Sequence, residues 1–378
     1  MQTYFRTLVT LTLTATTLGA GAWSQSASAP APTTQQYLQT DLVADSKATS
    51  PTATTIDPNL QGGWGVSRSS TGAWWLTDNN NGLSTLYAGD GAIEPLVVVI
   101  PAADPNKSKT GSPTGTVFNA NAADFLLSDG KAATFLFATQ DGLIAGWNGS
   151  VFANTAEIAV NQSSTSEFFG LAVTSAEVEG VEQTLLYATD LKGRAVDVFD
   201  AHFRHVPSIE DAIARIGLPA GFAPYGITNV GGTLYVTIVT TNAAGTDQQN
   251  GPDNGVVAAI TPEGKLIGTL ETGNFLNAPW AVALAPSDFG LYSHDLLVSN
   301  NGSGVIDVFN PATGKFLGPL KDGKNHNISI NGIWGIAFGN GATGSGPSTS
   351  LYFAAQPSAG GGLFGTITPV QNTFGSDN

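Results

Sequence analysis

The sequence predicts an all-β chain folded as a six-bladed β-propeller. Three observations predict it: a repeat of about 50 residues, strand-type patterning inside each repeat, and a glycine-rich, charge-poor composition. The repeat begins with a leading residue, bulky in five of six cases, followed by a small one and an apolar run. The leading residues are Trp64 in GGWGVS, Thr114 in SPTGTVF, Phe169 in EFFGLAV, Tyr225 in APYGITNV, Trp280 in APWAVAL and Trp334 in GIWGIAF. Successive steps between them are 50, 55, 56, 55 and 54 residues, the period of a multi-stranded propeller blade. Composition agrees, with 46 Gly among 378 residues and only 11% charged residues, against roughly 25% charged in an average globular protein.

Within each repeat the second strands read AWWLTDNN from Ala73, TFLFATQD from Thr134, TLLYATDL from Thr184, TLYVTIVT from Thr233, DLLVSNNG from Asp295 and SLYFAAQP from Ser350. Third strands follow them, among them AVDVFDA and VIDVFNPATG. Runs rich in β-branched and aromatic residues, bounded by Gly, Asn and Asp, are strand signals. The last repeat shows only three strands, while YLQTDLVAD from Tyr37 is strand-like and precedes the first. The N-terminal strand is therefore expected to complete the last blade and close the ring, pairing an edge that would otherwise stay open. One helix is expected, over SIEDAIARIG from Ser208, with Ser208 and Asp211 in capping positions and a place in an inter-strand loop of blade three.

Residues 1–24 read as an export signal: Arg6, then an apolar, Thr-rich run from Leu8 to Ala22, then small residues that allow cleavage after Ser24 or Ala29. The apolar run is shorter than the ~20 residues of a spanning helix. The expected organisation is a signal peptide at 1–24, a Ser/Ala/Pro/Thr-rich linker at 25–36, the propeller at 37–370 and a polar tail at 371–378. The tail, FGSDN, carries no anchor pattern, so free release is expected. An apolar fraction of 42% excludes a disordered chain, and the absence of Cys excludes disulfides and thiolate chemistry. A net charge of −15 with 14 Lys and Arg repels nucleic acid and anionic membrane surfaces. The expectation is a secreted, soluble monomer.

With Trp280 and the run VSNNGSGVIDVFNPATG from Val298, the chain resembles the NHL and gluconolactonase-type propeller superfamily. IDPNLQGGWGVSRSSTGAWWLTDNNNGLSTLYAGDG from Ile56 resembles more closely a family of uncharacterised exported propellers, some of which carry PEP-CTERM sorting tails. SPTGTVFN at Ser112, LNAPWAVALAPSDFG at Leu276 and NGIWGIAFGNG at Asn331 extend the resemblance over nearly all of Tyr37 to Val370. That family implies no activity. The wider resemblance implies a divalent-ion site near the ends of the second strands, and hard oxygen ligands suit Ca²⁺. Here it would use Asp78, Asp190 and Asn300, with Gln140, Ile238 and Gln356 read as the equivalent positions of the other blades and Asn79, Asp141 and Asn301 just beyond. The alternative is that these residues only close turns.

The leading aromatics Trp64, Phe169, Tyr225, Trp280 and Trp334 are expected at the rim of the channel mouth, as a stacking platform for a small molecule or glycan or as wedges between blades. The polar loop Thr240–Gly255 should overhang the same face, and its Asp247 and Asp253 could contribute to a cation site. Catalytic templates fail. GNGATG at Gly339 leads into a strand instead of a helix, and DNNNG at Asp78 lacks an EF-hand ligand spacing. Only His202 and His205 are clustered among the four His, and two His do not make a zinc site. The function expected is an extracellular ligand-binding or interaction scaffold. The alternative is a calcium-dependent hydrolase of the lactonase type, with Asp78 or Asp190 acting as base beside the metal at the channel mouth.

Overall fold

In the computed structural model the described residues are 36–150 and 153–370. The segments read from the sequence as signal peptide and polar tail, and nearly all of the expected linker, lie outside them. Successive stretches of chain build six sheets in sequence order. Blade one comprises Gly63–Arg68, Trp74–Asp78, Leu83–Tyr87 and Ile93–Val99, paired as neighbours from the axis outward. Blades two, four and five repeat this four-stranded meander. In blade six the strands Ile333–Phe338, Leu351–Ala355 and Leu363–Pro369 are completed by Tyr37–Ala44, which runs antiparallel to Leu363–Pro369 with Tyr37 opposite Pro369. Closure by the N-terminal strand is thus as expected. The inner strand of each blade abuts that of the next, and the sixth abuts the first.

The inner strands share one irregularity. In every blade the pairing register breaks at the leading residue, between Gly63 and Val66 in blade one and between Ile333 and Ile336 in blade six. A bulge of this kind re-aims a side chain, and here it turns the leading residue toward the ring's centre. The following residue must then be small, because neighbouring inner strands pass within backbone contact. A Cβ on Gly226 would sit 2.0 Å from the Trp280 carbonyl oxygen.

Hydroxyls on the second strands lock blade to blade at this point. Thr189 Oγ1 accepts from Gly170 N–H at 2.7 Å and donates to the Tyr225 carbonyl at 2.6 Å. Thr77 links blades one and two in the same manner, and Ser299 links blades five and six. All three are fully buried. Thr189→Val should therefore strand a buried N–H and cost about 1–3 kcal/mol, read from the urea midpoint; an unchanged midpoint would remove the clamp from the account.

Blade three departs from the pattern. Its sheet has three strands, Phe168–Val178, Val181–Asp190 and Ala195–Phe199, and the helix Pro207–Ala214 follows on the outer side. The helix starts one residue earlier than expected: Pro207 presets the first turn, Val206 is the N-cap, and no side chain caps it. The capping roles given to Ser208 and Asp211 are therefore corrected. Among the described residues no helix is long and apolar enough to cross a membrane.

Candidate functional site

The five leading aromatics do not form an open platform. Phe169 and Tyr225 are 0% exposed, Trp280 and Trp334 4%, and Trp64 6%. They converge on one another across the axis. Trp64 stacks on Trp334 at 3.8 Å between ring centroids, Trp280 meets Trp334 edge-on at 5.1 Å, and Phe169 lies 5.1 Å from Tyr225. The sixth position is Thr114, also buried, whose hydroxyl donates to the Phe168 carbonyl. The expected rim is instead a plug that fills the channel on the side where the inner strands begin. Bulges aim the rings inward, and six-fold convergence leaves them only each other to pack against. Trp64 Nε1 donates to Gln356 Oε1, whereas Tyr225 Oη and Trp334 Nε1 have no partner.

Polar residues around this face tie blades together. Asn79 Nδ2 donates to the Pro113 carbonyl and to Gln140 Oε1, and Asn301 Nδ2 donates to the Ile333 carbonyl. The loop Thr240–Gly255 does reach over this face: Gly251 N–H donates to Asn277 Oδ1, and Gln248 Nε2 donates to Asn301 Oδ1. Its Asp247 and Asp253 are both exposed.

The structure does not join Asp78, Asp190 and Asn300. They close second strands in blades one, three and five, and among the described residues no hydrogen bond connects any two of them. Asp190 Oδ1 accepts from Glu167 and Gly193 N–H, and Asn300 Oδ1 accepts from Asn277 N–H. Asp78 is 0% exposed, and its carboxyl oxygens make no well-formed hydrogen bond even though the Thr85 hydroxyl is beside it. Burial holds that carboxyl well above the usual carboxylate range, the nearby Thr85 offsets part of this, and Asp57 adds to it. A calcium site needs six to eight oxygens, and these donors, dispersed and already engaged or sealed, do not fit one. Nor do three residues of the His, Cys, Asp and Glu types come together in a group that could hold a metal ion among the described residues. Strand register also shifts two of the proposed equivalences by one residue. Thr139 pairs with Pro113 and Ala355 with Ile333, as Asp78 pairs with Gly63, so the counterparts of Asp78 are Thr139 and Ala355, not Gln140 and Gln356.

Below the plug the channel opens. The inner strands supply a central cavity of about 630 Å³, roofed in part by Trp280. Each strand passes from buried at its start to partly or largely exposed at its end, as in the patterns BBBiii for Gly63–Arg68 and BBBBBe for Pro279–Leu284. The mouth therefore lies on the face opposite the expected one. The lining is mostly backbone and aliphatic, with Ser67, Thr116, Thr228 and Asn229 as polar points and Arg68 as the sole charged residue. Arg68 Nε and Nη2 donate to the Phe338 carbonyl, and the guanidinium lies 5.4 Å from the Trp74 ring centroid. Burial lowers its pKa. No sequence motif marks these residues; Ser67 and Thr116 stand on the inner strands of neighbouring blades, and their hydroxyls meet at 3.3 Å in the cavity wall.

No family model matches the chain. Among curated proteins, uncharacterized protein R640 of Acanthamoeba polyphaga mimivirus is 31% identical over 233 residues, covering 59% of this chain and 42% of R640. Uncharacterized protein R648 of the same virus is 25% identical over 290 residues, covering 74% of this chain and 69% of R648. The chain thus spans less than half the length of R640. Among solved structures, a streptogramin B lyase is similar with a TM-score of 0.49 and 14% identity, over 89% of this chain and 98% of the lyase. A glucose dehydrogenase is similar with a TM-score of 0.47 and 10% identity, over 81% and 96% of the respective chains. These structural neighbours are β-propeller proteins.

Proposed function

We propose that the chain is an exported binding propeller that takes a small organic molecule into the central cavity beneath the aromatic plug. One observation carries this reading: a cavity of about 630 Å³, the size of a small-molecule site, whose lining is aliphatic with a few polar points. Its lining contains no carboxyl, imidazole, phenol or amine, and Arg68 cannot serve as a general base, so the residues support holding a ligand and not turning it over. Export is supported by Arg6 and the apolar run from Leu8 to Ala22. It predicts a secreted form whose mass places its first residue after Ser24 or Ala29.

Ligand-detected NMR against a mixture of aromatic and alicyclic fragments tests the site. Ser67→Trp should fill the cavity and abolish the binding seen with the unaltered protein, while Asn79→Ala on the plug side should leave it intact. Binding indifferent to Ser67→Trp would defeat the proposal. A lactone and ester screen run alongside is expected to show no turnover; hydrolysis lost in Asp190→Asn without loss of fold would establish the hydrolase reading instead.

A further inference from the structure

The irregularity of blade three builds a second pocket, independent of the central one. Where other blades carry a fourth strand, the helix Pro207–Ala214 packs against the third strand, Ala195–Phe199. Between them and the neighbouring blade-four strands is a cavity of about 270 Å³. Ile213, Ile216, Val236, Ile238 and Ile260 make its walls apolar, while Asp197, Glu210 and Asp211 make one end acidic.

Most polar groups at that end are engaged. Glu210 Oε1 accepts from Val198 N–H and pairs with His205 Nδ1 at 2.6 Å. Arg194 Nη2 donates to the Pro219 carbonyl. The Asp197 carboxyl makes no hydrogen bond, and the internal repeat explains why. In blade five, Asn300 Nδ2 donates to Asp307 Oδ2 at 2.9 Å. Strand register puts Asp190 and Asp197 at the same two positions of blade three, because Asp197 pairs with Ala188 as Asp307 pairs with Val298. An amide donates and a carboxylate cannot, so the donor that Asp307 receives is missing for Asp197. Burial first, then Asp190 and Glu210, push its carboxyl up to about 7, and only His205 works against them.

We propose that this pocket binds an organic ammonium ion, a primary amine on a compact hydrocarbon or aromatic body, with the ammonium against Asp197 and the body among the isoleucines. The ammonium supplies the missing donor and a positive charge facing Asp190 and Glu210, and the apolar walls desolvate the body. The volume lies below the roughly 300–1,000 Å³ of drug-sized sites, which selects a small amine. An acidic chain of net charge −15 also concentrates cations at its surface.

The test is calorimetric titration of the full chain with 2-phenylethylamine and its neutral isostere 2-phenylethanol. The amine is expected to bind about tenfold or more tightly than the alcohol at pH 8. Asp197→Asn should erase that preference, and Ala214→Trp at the exposed margin should block both ligands. Amine affinity should rise from pH 6 to pH 8 as Asp197 ionises, with His205, Glu210, Asp190, Asp211 and Arg194 the other groups around the site. Thermal melting should find Asp197→Asn at least as stable as the unaltered protein, so loss of binding cannot be loss of fold. Equal binding of amine and alcohol, no binding of either, or a preference that survives Asp197→Asn would overturn the proposal. So would calcium binding that is lost in the same variant and unaffected by the amine.

Discussion

Trp334→Ala should destabilise the protein by about 3–5 kcal/mol, the range for truncating a large buried aromatic. Trp334 is 4% exposed and touches three other members of the plug, stacking on Trp64 at 3.8 Å and meeting Trp280 at 5.1 Å and Tyr225 at 5.9 Å. Its Nε1 has no partner, so the truncation breaks no side-chain hydrogen bond and the loss is one of packing and buried area. Relaxation cannot close the gap, because the neighbouring rings come from different blades whose backbones are fixed by the hydroxyl clamps. The void would also join the central cavity below, where Trp280 already forms part of the roof. Trp334→Phe keeps a ring against Trp64 and should cost much less. Urea unfolding of the three proteins decides it: a Trp334→Ala loss under about 1 kcal/mol would mean that the rings are not packed as a plug and would return them to solvent and ligand.

What the sequence reveals and what it hides divide along one physical line. The period, the turn residues and the strand-like Tyr37–Ala44 are legible because each blade must repeat the same alternation and the last must be closed. Bulges are not legible, since one extra residue leaves composition unchanged yet reverses every side chain beyond it. For that reason Trp64, Tyr225, Trp280 and Trp334 read as a rim but pack as a plug. Gln140 and Gln356 read as counterparts of Asp78 because nothing in the second strands marks their register, and they lie one residue past the actual counterparts, Thr139 and Ala355. The central cavity is hidden for a related reason: its wall is backbone and small side chains, which carry no motif. Blade three is a different case. The run SIEDAIARIG announces a helix, but only the register of Asp197 against Ala188 reveals that Asp190, standing where blade five has Asn300, leaves a carboxyl without its donor.

Acidifying the solution from pH 8 to pH 5 should raise the melting temperature, the reverse of the behaviour of a protein held by salt bridges. Burial pushes the Asp307 carboxyl up to about 7, with the Asn300 amide lowering it in part, and burial with Asp190 and Glu210 pushes Asp197 to a similar value. In the unfolded chain an Asp titrates near 3.9. Between those values the folded state holds protons that the unfolded state has released, so stability falls as pH rises through the window, and the full penalty applies above about 7. For Asp307, only 2% exposed, the shift corresponds to a ceiling of about 4 kcal/mol; Asp197 is more open and contributes less. The carboxylates held below their usual range, Asp104, Asp129, Asp200, Glu263 and Asp322, lose their contribution only at lower pH and do not oppose this slope. The net charge of −15 reinforces it, since protonation relieves self-repulsion. Asp307→Asn isolates the local effect. Its Oδ1 can still accept from Asn300 Nδ2, so geometry is kept while the charge is removed. The variant should match the unaltered protein at pH 5 and exceed it by about 1–4 kcal/mol at pH 8; a difference that is the same at both pH values would show that Asp307 is not the group that titrates.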